Sequence, residues 1–211
     1  MRSNTVSIID YDSGNLRSVS RALEYVGVKV AFASKPDMVR DADAIVLPGV
    51  GSGKAAMQAL ARRGLIEPIR EYIDSGKPFL GICLGMQLLL ERTEEGNLPC
   101  LGAISGEVRK LPDDVKVPHM GWNQVIIDKD HLLFQDIPQR SYFYFVHSYY
   151  PKVFSPDLVV GTTDYGLSFC SVIARGKLIA TQFHPEKSGS LGLLIYRNFI
   201  RLAFGEVEAK T

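Results

Sequence analysis

Short apolar stretches alternate with amphipathic stretches through the first half of the chain. Runs rich in valine, isoleucine and leucine are followed by segments with hydrophobic residues three and four positions apart. The predicted strands are at 6–9, 28–33, 44–47 and 78–82, and the predicted helices are at 16–26, 54–62 and 84–92. This alternation is typical of parallel strands joined by crossover helices. It predicts an α/β fold with an open, mostly parallel central sheet flanked by helices.

The pattern changes after about residue 103. Short runs of β-branched and aromatic residues follow, separated by turn residues, at 125–127, 142–146, 158–162, 171–174 and 178–182. Such runs predict antiparallel strands. An amphipathic helix is predicted at 191–204, before a polar tail at 206–211. We therefore expect one domain over residues 1–205, in which an antiparallel β section is added to the parallel sheet.

The composition limits the classes of function. The chain has 211 residues, of which 46% are hydrophobic, enough to bury one sizeable core. Its 24 basic and 23 acidic residues nearly cancel, which argues against binding to nucleic acid or to an anionic membrane. The apolar runs are shorter than the roughly 20 residues of a membrane-spanning helix. Because residues 1–9 also lack a signal-peptide pattern, we expect a cytoplasmic protein.

The cysteines are few and scattered. Cys83, Cys100 and Cys170 are odd in number and far apart, which fits neither a disulfide framework nor the spacing of zinc ligands. We expect no metal and no cofactor. A functional cysteine would therefore act as a free thiol.

Cys83 lies in the most informative motif of the chain, G-I-C-L-G at 81–85, between a predicted strand and a predicted helix. This is a cysteine version of the nucleophile elbow, in which flanking glycines allow the tight turn. Unpaired N–H groups at the helix N-terminus can hold a thiolate and a developing oxyanion. A buried structural cysteine is the alternative for an isolated residue. The two glycines and the strand-to-helix context favour the nucleophile.

A thiol nucleophile needs a general base, and the base needs an orienting group. His184 lies directly after a predicted strand, in the motif H-P-E at 184–186. If the segment stays extended, His184 and Glu186 project to the same side, so that Glu186 can fix the imidazole tautomer. A structural histidine and a solvated glutamate remain the alternatives.

A second glycine cluster follows the predicted strand at 44–47. The segment P-G-V-G-S-G-K at 48–54 lacks the first glycine and the Ser or Thr of a Walker motif, and it has Lys54 where the dinucleotide fingerprint needs glycine. Both phosphate-binding interpretations therefore fail. Two interpretations remain: a backbone that supplies oxyanion-hole N–H groups together with Leu84, or an ordinary turn.

Three motifs together, G-I-C-L-G-M-Q at 81–87, P-G-V-G at 48–51 and H-P-E at 184–186, closely resemble the class I glutamine amidotransferases. The resemblance spans nearly the whole chain and implies their flavodoxin-like architecture. It implies a triad of Cys83, His184 and Glu186 that hydrolyses glutamine through a γ-glutamyl thioester. The implied oxyanion residues are Gly49, Val50, Gly51 and Leu84. The implied glutamine-binding residues are Gly51, Gln87, Glu95, His147, Ser148 and Tyr149.

Within that class, P-H-M-G-W-N at 118–123, Y-F-V-H-S-Y at 144–149 and G-N-L at 14–16 look like the glutaminase subunits of imidazole glycerol phosphate synthases. This resemblance implies a heterodimer with a barrel-type cyclase subunit that receives the ammonia for histidine biosynthesis. The residues that it places toward the cyclase are Asn15, Trp122, Tyr144 and Lys187.

Three other functions stay open from sequence alone. The chain could serve a different synthase, or it could be a γ-glutamyl hydrolase without a partner. A third possibility is a non-enzymatic stress or binding protein with a reactive elbow cysteine on the same fold. Such a protein has no need for the H-P-E pair.

Overall fold

The computed structural model describes residues 4–12 and 14–205 of the chain. The strands in these residues are β1 Thr5–Ile9, β2 Lys29–Ala33, β3 Ala44–Leu47, β4 Phe79–Ile82, β5 Arg92–Thr93, β6 Leu98–Pro99, β7 Gly106–Lys110, β8 His119–Ile127, β9 Ser141–His147, β10 Tyr149–Val153, β11 Val159–Asp164, β12 Ser168–Arg175 and β13 Leu178–Thr181. The α-helices are α1 Leu16–Tyr25, α2 Pro36–Arg40, α3 Gly53–Arg62, α4 Ile66–Asp74, α5 Leu84–Gln87 and α6 Gly189–Phe204. The predicted tail at 206–211 lies outside the described residues.

Nine strands form the central sheet, in the order β2-β1-β3-β4-β13-β12-β11-β8-β9. The pairings from β2 to β13 are parallel, whereas those from β13 to β9 are antiparallel. The predicted α/β class, with a parallel sheet extended by an antiparallel section, is confirmed. The expectation for 178–182 is only half right, because β13 is antiparallel to β12 but parallel to β4. β13 thereby joins the two halves of the sheet.

The parallel strands are buried on both faces because helices cover each side. In β3, Ile45 and Leu47 belong to one apolar cluster, with α3 and α4, and the alternate residues Ala44 and Val46 belong to the other, with α1 and α6. This alternation is the period of two that a strand imposes on its side chains. It also explains why these strands read as continuous apolar runs rather than as alternating patterns.

The predicted helix at 84–92 is wrong in length, because α5 ends at Gln87. The next carbonyl groups accept hydrogen bonds from a later loop: Leu88 O from the N–H of Leu101, and Leu90 O from the N–H of Gly102. Local periodicity continued through 92, but these long-range bonds replace the helical ones. Tertiary contacts here override local preference.

A second, four-stranded sheet with the order β10-β7-β5-β6 was not predicted. Two of its strands are only two residues long, which is too short to produce an alternating pattern. Helices α2 and α4 were also missed. Within the described residues, no helix is both long and apolar enough to span a lipid bilayer.

Candidate active site

Cys83 occupies a strained turn between β4 and α5. Its backbone has φ 53° and ψ −106°, in the positive-φ region that L-residues rarely adopt. A methyl group on Gly85 would collide with the carbonyl of Leu47, and one on Gly81 would lie 3.0 Å from the Gly85 oxygen. Both elbow glycines are therefore required sterically, as the sequence predicted.

The Cys83 side chain is almost completely buried, at 5% exposure. Its N–H donates to the carbonyl of Thr181 at 2.7 Å, which ties the elbow to the end of β13. Its sulfur lies 3.8 Å from the Val146 carbonyl oxygen in β9 and 3.5 Å from Nε2 of Gln182. Strands from both halves of the sheet thus surround the thiol.

His184 and Glu186 lie together, although not for the reason expected from sequence. Nδ1 of His184 donates to Oε1 of Glu186 at 2.7 Å, and both side chains are inaccessible to solvent. The segment is not extended, because Pro185–Lys187 forms a short 3-10 turn that folds Glu186 back beneath the imidazole. The two side chains meet in the structure, but the assumed strand conformation is wrong, and the catalytic role of the pair stays a prediction.

The charges of this pair are coupled to Cys83. Burial acts to lower the pKa of His184, but attraction to the Cys83 sulfur and the bond to Glu186 outweigh it and raise that pKa. Burial acts to raise the pKa of Glu186, but hydrogen bonds from His184 and Asn15 lower it. An ionised Glu186 can only accept, so Nδ1 of His184 carries a proton. This arrangement suits an imidazolium that stabilises a thiolate.

Two further side chains hold the Glu186 carboxylate. Nδ2 of Asn15 donates to Oε1, and the hydroxyl of Tyr196 in α6 lies 3.4 Å from Oε2. Asn15 is only 9% exposed, so its amide is engaged behind the pair rather than presented on the surface. Its predicted contact with a partner stays a prediction. Tyr196 was missed, because in sequence it is one aromatic residue of an apolar helix face.

A cavity of about 420 Å³ opens directly over Cys83. This volume is within the range of small-molecule sites. Every residue predicted to bind the substrate lines the cavity: Gly51, Gln87, Glu95, His147, Ser148 and Tyr149. Val50 and Leu84, two of the predicted oxyanion residues, line it as well. The sequence motifs, which are far apart along the chain, therefore converge on one site.

The glycine-rich segment after β3 forms one wall of this cavity. Gly49 is packed beneath the wall, where a methyl group would lie 2.6 Å from the Tyr11 hydroxyl oxygen and 2.7 Å from the Leu84 Cβ. The Tyr11 hydroxyl also donates to the Pro48 carbonyl at 2.8 Å and so fixes the start of the segment. Glycine is required at 49 because Tyr11 and Leu84 leave no room for a side chain. An ordinary turn would not need glycine for this reason.

A family comparison agrees with this geometry. The profile described as glutamine amidotransferase class-I matches residues 7–202. The chain belongs to the class I glutamine amidotransferase family. Two similar relatives are named imidazole glycerol phosphate synthase subunit HisH. The protein of Dehalococcoides mccartyi strain CBDB1 is 46% identical over 202 residues, which cover 95% of this chain and 98% of that relative. The protein of Moorella thermoacetica is 48% identical over 195 residues, which cover 92% and 93%.

A solved structure supports the same fold. PurLQS from Thermotoga maritima superposes with a TM-score of 0.75, covering 94% of this chain and 98% of that one. The sequence identity is 18%, so this likeness concerns the fold alone. This chain and the Thermotoga protein thus share one architecture although their sequences are only 18% identical.

Strands β8 and β9 carry exposed aromatic and apolar side chains that adjoin Lys187, a residue lining the amidotransferase cavity. Trp122 is 56% exposed and packs edge-on against the Tyr144 ring, with 6.0 Å between the ring centroids. Nζ of Lys187 lies 5.8 Å from the centroid of the same Tyr144 ring, and Met120 is exposed nearby on β8. Three of the four predicted partner-facing residues therefore form one surface cluster. We call Met120, Trp122, Tyr144 and Lys187 the mouth cluster.

The structure also shows a buried pair of histidines behind the cavity. Nδ1 of His147 lies 2.8 Å from the Tyr149 carbonyl oxygen, and Nε2 of His147 lies 3.0 Å from Nδ1 of His119. Burial lowers the pKa of His147 to about 3 and that of His119 to about 4. Because a carbonyl only accepts, Nδ1 of His147 donates to it, and a neutral His147 accepts from His119 at Nε2. Both rings are neutral in the folded protein.

This pair predicts a loss of stability in mild acid. Below pH 6.5 the unfolded chain protonates His147 while the folded chain does not, so stability falls as the pH falls. We expect His147→Phe to be less stable than the wild type at pH 8. Between pH 8 and about pH 5, this variant should lose about 2 kcal/mol less unfolding free energy than the wild type loses. Urea unfolding at the two pH values measures this difference.

Phe169→Leu provides the matched control. The Phe169 ring packs edge-on against His147 at 5.3 Å, so its truncation weakens the same contact without removing a titratable group. The unfolding free energy that Phe169→Leu loses between pH 8 and about pH 5 should equal the loss in the wild type. An equal loss in the His147→Phe protein would contradict a neutral, buried His147.

Among the described residues, no cluster of histidine, cysteine, aspartate and glutamate has the arrangement of a metal site. The two other thiols lie away from the cavity. Burial raises the pKa of Cys100 to about 11, and it also raises that of Cys170. Of the three cysteines, Cys83 alone lines the cavity.

Proposed function

We propose that this chain is the glutaminase subunit of an imidazole glycerol phosphate synthase. It hydrolyses L-glutamine to glutamate and ammonia. The observation that carries the proposal is the bond between His184 and Glu186 beside the elbow thiol Cys83, within a chain 46% identical to a HisH subunit. We also propose that residues 1–205 form one amidotransferase domain, which the family match over 7–202 supports.

In the first half-reaction, the Cys83 thiolate attacks the side-chain carbonyl carbon of glutamine. The negative charge that develops on the carbonyl oxygen is held by the N–H of Leu84 and by N–H groups of the segment Gly49, Val50 and Gly51. His184 then donates the proton from Nε2 to the departing nitrogen, and ammonia leaves a γ-glutamyl thioester on Cys83. Nε2 is buried and has no protein hydrogen-bond partner in the described residues, so its proton is available for transfer.

In the second half-reaction, water attacks the thioester and His184 accepts the proton of that water at Nε2. Collapse of the tetrahedral intermediate expels the Cys83 thiolate and gives glutamate. Glu186 keeps the imidazole in one tautomer through both steps, because its carboxylate is fixed by Asn15 as well as by His184.

The cavity walls supply the groups that hold the substrate. The Glu95 carboxylate, which accepts from the N–H of Gly53 at 2.6 Å, is an acceptor for the α-ammonium group of glutamine. Gln87 and the segment His147, Ser148 and Tyr149 line the opposite wall and bind the remainder of the amino-acid head group. The cavity thus offers both a reactive end at Cys83 and a polar end at Glu95.

Ammonia released into solvent would be lost to the synthesis. We propose that a barrel-type cyclase subunit docks over the mouth cluster and forms a heterodimer with this chain. The cyclase uses the ammonia to form imidazole glycerol phosphate and aminoimidazole carboxamide ribotide in histidine biosynthesis. The mouth cluster supports this location, because exposed apolar and aromatic side chains around a cavity are typical of a protein interface.

The experiment is to mix the chain with the histidine-pathway cyclase and to measure binding and glutamine-dependent synthesis. Trp122→Ala should weaken binding by about 2 kcal/mol, roughly 30-fold in Kd, because it removes an aromatic anchor. Phe154→Ala is the matched control, since Phe154 is similarly exposed but lies outside the mouth cluster. A chain that hydrolyses glutamine at full rate alone and does not bind the cyclase would instead be a γ-glutamyl hydrolase or the subunit of another synthase.

A further inference from the structure

A glutamine side chain touches the reactive sulfur from inside the protein. Gln182 follows β13 directly, is inaccessible to solvent, and is held by its own N–H, which donates to the Ser171 carbonyl at 2.9 Å. Its Nε2 lies 3.5 Å from the Cys83 sulfur, and its Oε1 lies 3.0 Å from Nε2 of Gln87. Gln182 lies two positions before His184, but it belongs to none of the motifs that predicted the site.

The hydrogen-bond network fixes which end of the Gln182 amide faces the sulfur. The Tyr149 carbonyl can only accept, so the Gln87 atom 2.8 Å from it must be the amide nitrogen. The second hydrogen of that nitrogen points to Gln182, which must therefore present its oxygen. The remaining Gln182 atom, the nitrogen, faces Cys83. An inverted amide would place oxygen against a thiolate and nitrogen against nitrogen.

The buried histidine pair strengthens this orientation. His147 donates to the same Tyr149 carbonyl that accepts from Gln87, so this oxygen is occupied by two donors. Because two donors hold the Tyr149 carbonyl in place, the orientation of the Gln87 amide that donates to it is also restrained. Gln87 therefore donates at both of its bonds, to the Tyr149 carbonyl and to Oε1 of Gln182, and Gln182 in turn donates to the Cys83 sulfur.

We propose that Gln182 stabilises the Cys83 thiolate by donating its amide N–H to the sulfur. This inference rests on the proposed function, in which Cys83 is the nucleophile. The bond stabilises the thiolate before attack and again when the sulfur leaves the hydrolysed thioester. It approaches from the buried side, so it does not occupy the cavity that glutamine enters. A hydrogen bond to a charged group contributes more than one between neutral groups.

The alternative is that Gln182 merely anchors Gln87 through its oxygen. Gln87→Met separates the two roles, because it removes the anchored partner and keeps the Gln182 amide nitrogen beside the sulfur. Gln182→Met removes both groups at similar volume. Gln58→Met is the control, since Gln58 is exposed on α3 and distant in sequence from the elbow.

The measurement is the rate of Cys83 alkylation by iodoacetamide as a function of pH, with the modified cysteine identified by mass spectrometry. This readout needs no glutamine, so it tests the inference separately from the glutaminase activity. We expect the pH midpoint to move upward by about one unit in Gln182→Met, a roughly tenfold loss of thiolate, and by much less in Gln87→Met, which keeps the donor. Gln58→Met should keep the wild-type midpoint.

A wild-type midpoint in Gln182→Met would overturn the inference and leave Gln182 as an anchor for Gln87, and so would equal shifts in Gln182→Met and Gln87→Met. Modification of Cys100 and Cys170, which are buried in the folded protein, would reveal an unfolded variant. In that case Gln182→Leu, which also removes the amide donor, takes the place of Gln182→Met. An unchanged midpoint in this variant would likewise refute the inference.

Discussion

We expect glutamine-dependent synthesis by the complex to disappear when Cys83 is replaced by alanine, whereas synthesis from added ammonia should continue. Without the thiol no γ-glutamyl thioester forms, so glutamine hydrolysis should fall by on the order of 10,000-fold or more. Ammonia supplied from solution bypasses this step. The two rates are measured in the complex with the cyclase, with glutamine and with an ammonium salt as alternative nitrogen sources.

Cys100→Ala and Cys170→Ala are the matched controls. Both thiols are buried and neither lines the cavity, so both variants should keep the glutamine-dependent rate. Loss of both activities in the Cys83→Ala complex would assign a structural role to Cys83. Retention of both would remove it from the mechanism.

Replacing Gly85 with alanine should destabilise the protein more than any other single methyl addition in the elbow. The added Cβ would collide with the Leu47 oxygen and lie 2.9 Å from the Leu47 carbonyl carbon, and both are backbone atoms that cannot move aside alone. We expect a loss of more than about 3 kcal/mol of unfolding free energy, at or above the upper end for overpacked sites. Urea denaturation at neutral pH measures it.

Gly14→Ala serves as the control for this substitution. A Cβ at Gly14 would meet only the Val50 Cγ2 atom, at 3.7 Å, which is an ordinary van der Waals distance. Its stability should therefore stay within about 0.5 kcal/mol of the wild type. A Gly85→Ala protein with the wild-type unfolding free energy would mean that α5 can move away from β3.

Sequence patterns predicted the parallel half of the fold well, because its strands are buried on both faces and its longer helices have regular apolar spacing. They failed where long-range contacts decide local structure. The run at 84–92 has helical spacing throughout, yet the carbonyls of Leu88 and Leu90 bond to a loop, and α5 ends at Gln87. The two-residue strands β5 and β6 carry no periodic signal at all.

For the site, most residues that the motifs singled out line or adjoin one cavity, but the local geometry was not always as expected. The H-P-E pair meets through a 3-10 turn rather than along a strand. Asn15, predicted on a partner-facing surface, has its amide against Glu186 instead. Gln182 contacts residues more than 90 positions away, and Tyr196 contacts Glu186 across the turn before α6, so no local pattern could reveal either contact.

The position of β13 has a consequence for how the chain is made. This strand occupies the middle of the nine-stranded sheet, yet it comes from residues 178–181, after all the other strands of the described residues have been synthesised. Until it emerges from the ribosome, β4 and β12 each lack a neighbour, and unpaired edges of this kind promote association between nascent chains. Because the same segment leads directly into His184, insertion of the central strand and placement of the proposed catalytic histidine occur together, late in synthesis of the chain.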